Sequence, residues 1–129
     1  MEKTRLVIKP EVDIFDLLNV DPVILEMIAF TYDYCTQYNL PCTITSLMEH
    51  VDGRKTSTHY DGRAVDFSSR GFTDFHIARF QHEFKKKFID KGAFNKAGES
   101  RPIVYHKRKG GVAHFHMQCR RRNSDGTMS

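Results

Sequence analysis

Two short stretches of this chain gather side chains of the kind that hold metal ions. The run Ser57-Thr-His-Tyr-Asp-Gly-Arg-Ala-Val-Asp-Phe67 offers an imidazole at His59 and, seven residues later, a carboxylate at Asp66. Near the other end, His114-Phe-His116 adds two imidazoles one residue apart. Three nitrogen or oxygen ligands leave a fourth position on zinc for water, whose pKa falls to about 7, whereas four protein ligands close the site and leave it structural. Residues two apart in a strand face the same side, so His114 and His116 can look into one cleft while Phe115 packs behind them. The bland alternative for His59 and Asp66 is a plain ion pair. His50, His76 and His82 sit in no comparable pattern and read as surface or core histidines.

The elements that must position these groups follow from the surrounding pattern. Gly62 lets the backbone bend between His59 and Asp66, and Ala64-Val65-Asp66-Phe67 reads as a short strand carrying Asp66 inward. Asp61, in the turn before Gly62, is expected to cap its own backbone and to stay off the metal. Residues 102–106 and 112–119 flank Gly110-Gly111, which predicts a hairpin whose last strand carries the distal histidines. Upstream, Arg5-Leu6-Val7-Ile8 predicts an edge strand, and residues 11–20 a short helix. Asp21-Pro22 is a helix start, and Val23, Ile24, Met27, Ile28, Thr31, Tyr34 and Cys35 recur at helical spacing to about Tyr38. Residues 42–47 alternate and are β-branched, hence a strand. Phe75, Ile77, Ala78, Phe80, Phe84 and Phe88 predict a second amphipathic helix, capped by Thr73 or Asp74 and ended at Gly92 after Lys91. Residues 93–101 read as a polar connection. The expected fold class is therefore α+β: a small antiparallel sheet with a C-terminal hairpin, covered by two main helices, with the site in a cleft on the sheet.

The run His59-Tyr-Asp-Gly-Arg-Ala-Val-Asp66, with the later His114-Phe-His116, resembles the zinc site of the hedgehog signalling domain and of the D-alanyl-D-alanine metallopeptidases, grouped with the lysostaphin peptidases. The likeness spans roughly residues 41–119, and Ser57 also fits the peptidase pattern. It implies Zn2+ held by His59, Asp66 and His116, with His114 beside the metal, helping to hold the water or the oxyanion. It further implies hydrolysis of an amide in peptidoglycan peptides, as phage and bacterial lysins carry out. Two features depart from the family. Its carboxypeptidases hold the substrate's terminal carboxylate with an arginine upstream of the first zinc histidine; residues 42–47 contain none, and Arg54, in the following loop, is a weak substitute. The family's general-base Glu is also missing. Gly110, Gly111, Val112 and Ala113 precede His114, and the nearest upstream acid is Glu99.

His106 is the candidate replacement, because it follows Val104-Tyr105 where hedgehog-like sequences place the Glu, and an imidazole's ordinary pKa of about 6.5 suits proton transfer. Hairpin register decides whether it reaches. A three-residue turn at Lys109-Gly110-Gly111 pairs His106 with His114 and puts all three imidazoles on one face, whereas a two-residue turn sends His106 to the other. The competing function is a non-catalytic zinc-binding module that recognises cell wall or a protein partner, since hedgehog domains put this fold to recognition.

Length and composition bound the rest. At 129 residues the chain forms one domain, residues 1–119, with 120–129 expected as a disordered basic tail. Cys35, Cys42 and Cys119 have neither the number nor the spacing of a disulfide framework or a thiolate zinc finger, and are expected to be buried small hydrophobes. A net charge of +4 and a pI near 9.0 come partly from the runs Lys85-Lys86-Lys87, Lys107-Arg108-Lys109 and Arg120-Arg121-Arg122. Such runs suit solvated faces or a polyanion, whether nucleic acid or an anionic cell wall. No nucleic-acid motif accompanies them; the partner that the resemblance implies is peptidoglycan or a peptide, and the chain is expected to be a monomer. No apolar run approaches a membrane span, and the N-terminus is too short in apolar residues for a secretory signal. The chain is thus expected to be made in the cytoplasm, and the resemblance implies release to the cell wall by lysis or carriage on a virion.

Overall fold

The computed structural model describes residues 4–48, 58–59, 61–107 and 113–128. Its main sheet has five strands in the order β1 (Leu6–Ile8), β2 (Cys42–Ser46), β3 (Ala64–Ser68), β7 (His114–Gln118) and β6 (Ile103–His106). Two helices, α1 (Pro22–Tyr38) and α2 (Asp74–Phe88), pack against it, and β4 (Ala93–Phe94) with β5 (Ser100–Arg101) forms a separate two-stranded ribbon. The fold class is α+β as expected, with one correction: the sheet is mixed, because β1 runs parallel to β2. A parallel neighbour needs a long crossover, and here a 3-10 helix at Ile14–Leu18 and then α1 make it.

Local chemistry sets the ends of the helices. The Asp21 carboxylate accepts from Val23 N–H at 2.9 Å with Pro22 in the first turn, and Asn39 closes α1 in the left-handed conformation at φ 54°. All seven residues of the predicted α1 stripe are buried. Helix α2 is capped by the Thr73 hydroxyl, which accepts from His76 N–H. It stops at Phe88, short of the predicted Lys91, and Phe75 and Ala78 face solvent instead of the core. Its buried side is Phe80, Phe84 and Phe88, which meet Phe30 of α1 at ring separations of 6.3, 5.7 and 5.6 Å. The predicted polar connection at 93–101 contains the β4–β5 ribbon, closed by Asn95, whose side-chain oxygen accepts from Ala97 and Glu99 N–H.

The sheet has two unlike faces. On β7, Phe115 and Met117 are fully buried, and Phe115 lies 5.0 Å from Phe80. Between them, His114, His116 and Gln118 turn the other way, as strand alternation requires. Strand β3 does the same, with Val65 and Phe67 in the core and Asp66 on the histidine face, opposite His116. Helices therefore cover one face and the candidate site occupies the other.

Residues 120–128 contain no helix or strand, but they are held by specific contacts that composition did not announce. Arg120 lies over the Phe94 ring at 4.2 Å and donates to the Gly92 and Ile89 carbonyls, and Arg122 bonds both oxygens of Asp21.

Candidate metal centre

Strand β3 delivers Asp66, its partner β7 delivers His116, and the turn before Gly62 delivers His59. Ligand atoms of the three lie within 4.8 Å of one another, with His59 and Asp66 buried. The loop's place is fixed by Gly62, whose φ is +72° and whose carbonyl accepts from Asp21 N–H at 2.8 Å. A Cβ there would come within 2.8 Å of the Asn19 carbonyl oxygen, so the chain needs glycine both for its conformation and for its close approach.

Hydrogen bonding shows which imidazole nitrogens face inward. His59 Nδ1 lies 2.6 Å from the Leu47 carbonyl, which only accepts, so Nδ1 carries the proton and Nε2 points at Asp66 Oδ1, 3.1 Å away. His116 Nε2 lies 3.0 Å from Gln118 Oε1, and the Gln118 amide is oriented because its NH2 donates to the Arg101 carbonyl. His116 Nε2 therefore donates, leaving Nδ1 to face Asp66 Oδ1 at 2.8 Å. Each imidazole is thus held from behind by a carbonyl acceptor, the arrangement that fixes ring and tautomer in histidines that bind metals. Gln118 escaped the motif reading, although the alternation His114, His116, Gln118 could have placed it; the Leu47 carbonyl leaves no trace in a sequence.

Two lone pairs and a carboxylate oxygen meeting at one point need positive charge among them, either two extra protons or one metal ion. In the metal-free chain, burial pushes the Asp66 carboxyl up, but hydrogen bonds from His116 and His59 outweigh it and hold the group well below the usual carboxylate range. The donor set fits a metal ion: a buried centre with one carboxylate and two oriented imidazoles.

The other predicted residues fall as follows. His114 Nε2 lies 3.7 Å from Asp66 Oδ2, at the edge of the cluster. The described strands take the register that pairs His106 with His114 and Val104 with His116. His106 therefore shares the site face, its ring 5.2 Å from His114 and 5.9 Å from His116. Asp61 does not cap its own turn but accepts from Arg63 and Arg121 at 3.2 and 2.9 Å. His76 is spent on Tyr34, 2.8 Å away, and all three cysteines are buried and free. Ser57, His50, Arg54 and the turn at Lys109-Gly110-Gly111 lie outside the described residues. No protein-family model matches the chain, and neither does any curated protein or solved structure.

Proposed function

We propose that this chain is a zinc-dependent hydrolase, akin to the hedgehog and D-alanyl-D-alanine metallopeptidase group, that cuts an amide bond in peptidoglycan peptides as lysins do. The observation that carries the reading is the centre of His59, Asp66 and His116, all three offering acceptor atoms to one point, with further imidazoles on the same face. Those three residues would hold the zinc, which when bound supplies a Lewis acid that polarises an amide carbonyl and acidifies water. His114, at the edge of the cluster, orients the attacking water or donates to the oxygen that gains charge. His106 takes a proton from the attacking water and returns it to the leaving amine, as an imidazole on the same face can do. The partner is a peptide and not nucleic acid, reached at the cell wall after lysis or from a virion. No helix among the described residues is long and apolar enough to cross a membrane.

One observation favours the non-catalytic module instead. On the site-facing positions of β3, β6 and β7, Asp66 is the sole carboxylate, so these strands supply no second acid to move a proton. Incubating the purified chain with peptidoglycan, with and without a chelator, separates the two readings. The hydrolase releases new amino groups only without chelator, and His114→Ala and His106→Ala abolish that release while keeping zinc. A chain that holds zinc and releases none is the module.

A further inference from the structure

Four imidazoles gather around one carboxylate on the polar face of the sheet. Between ring centroids, His59 and His116 stand 5.0 Å apart, His116 and His106 5.9 Å, and His106 and His114 5.2 Å. That is more nitrogen than one ion with an open position uses, since three protein ligands complete a tetrahedral zinc that keeps its water. His59, Asp66 and His116 already make that set, with ligand atoms within 4.8 Å of one another. His106 and His114 are the surplus.

The surplus is itself arranged as a pair. His106 of β6 lies directly opposite His114 of β7, and the two rings are inclined to each other by 39°. Opposed residues on antiparallel strands hold their Cβ atoms about 4.5–5.5 Å apart. Two nitrogens on one tetrahedral zinc, each bonded at about 2.0–2.1 Å, lie about 3.3 Å apart, a span that imidazoles grown from opposed positions can close. His106 is exposed and His114 half-buried, so an ion in solution reaches both. The carboxylate has a second side as well. Asp66 Oδ1 faces His59 Nε2 and His116 Nδ1 at 3.1 and 2.8 Å, whereas Oδ2 lies 3.7 Å from His114 Nε2. An ionised carboxylate accepts at both oxygens, so it can serve an ion on either side.

We propose that His106 and His114 form a second, weaker divalent-ion site beside the first, with Asp66 Oδ2 as its third donor, for the ions that imidazole suits, zinc, copper or nickel. Its donors are more loosely gathered than the first set, and an ion already in place repels the next. The second ion therefore leaves on desalting while the first stays. One consequence rests on the peptide-hydrolase reading. The second ion occupies the imidazoles that move the proton and hold the water, so zinc beyond one ion per chain stops hydrolysis.

Calorimetric titration of the metal-stripped full chain with zinc chloride tests the site without reference to activity. Two binding events are expected, the second clearly weaker than the first. His106→Ala and His114→Ala should each weaken the second event about tenfold or more and leave the first in place, which also shows that each variant is folded. In nitrogen-15 NMR of the imidazoles, the second equivalent should move the ring signals of His106 and His114 most, those of His59 and His116 having moved with the first. A single event in the wild-type chain, a second event that survives in both variants, or second-equivalent shifts centred on other histidines would each overturn the proposal. Peptidoglycan hydrolysis at one and at two equivalents of zinc keeps the readings apart. Two events in a chain that never hydrolyses count against the enzyme alone, and hydrolysis with no second event counts against the second site alone. Hydrolysis that continues unchanged with the second ion bound overturns the silencing.

Discussion

Strands β3 and β7 present two chemistries one residue apart. Toward the helices they turn Val65, Phe67, Phe115 and Met117, all fully buried among aromatic rings. Toward the opposite face they turn Asp66 and His116, which offer ligand atoms to one point, with His114 at its edge and Gln118 behind His116. The apolar face gains from removing surface from water and tolerates no lost volume. The polar face places acceptors side by side, an arrangement that a metal ion fits. Because side chains alternate strictly, the packing of Phe115 fixes the register that brings His116 opposite Asp66. The packed core and the candidate metal centre are thus built from neighbouring residues and should respond separately to substitution.

The largest effect belongs to the apolar face. Phe115→Ala should cost about 3–5 kcal/mol of unfolding free energy in chemical denaturation, as large aromatic truncations in a packed core do. His116→Ala should shift the same denaturation curve far less in the metal-free chain. Equal losses would mean that the two faces are not separable.

Next comes the support behind the ligands. Gln118→Leu leaves the ligand atoms in place but removes the acceptor that orients His116, so metal affinity should fall roughly 10–100-fold in a competition titration. An unchanged affinity would show that Gln118 is a bystander. Gly62→Ala tests the loop that carries His59, and should destabilise the fold by about 1–3 kcal/mol because a Cβ must adopt a left-handed backbone against Asn19.

Acid dependence sharpens the contrast further. The folded chain holds the Asp66 carboxyl below its unfolded value of about 3.9. Its contribution to the metal-free fold is therefore complete above that unfolded value and is lost as pH falls through the folded one. The stability difference between wild type and Asp66→Asn should accordingly shrink below about pH 4 in metal-free denaturation curves. The smallest effect is expected from Asp61→Asn, which weakens contacts to Arg63 and Arg121 by about 1 kcal/mol or less and leaves metal content unchanged.

Legibility in the sequence followed how local each cause is. The start of α1 was readable because Asp21 and Pro22 act within one turn, and its buried stripe because a 3.6-residue repeat is written along the chain. The shared face of His114 and His116 was readable from alternation alone. Hairpin register was not, since the choice between two turns depends on packing across the sheet. The parallel pairing of β1 was missed because a three-residue strand gives no sign of its partner. Phe75 is apolar enough for the core, but its place in the first turn of α2 points it to solvent. The ribbon of β4 and β5 has two residues per strand, too few for a pattern.

The central claim is that His59, Asp66 and His116 share one metal ion at neutral pH, in place of two extra protons. Metal analysis of the purified chain after equilibration with zinc tests it most directly, with folding checked by circular dichroism. The account predicts one zinc per wild-type chain and strong loss in His59→Ala, Asp66→Ala and His116→Ala, each still folded. A wild-type chain that takes up no zinc, or three variants that keep it in full, would contradict it.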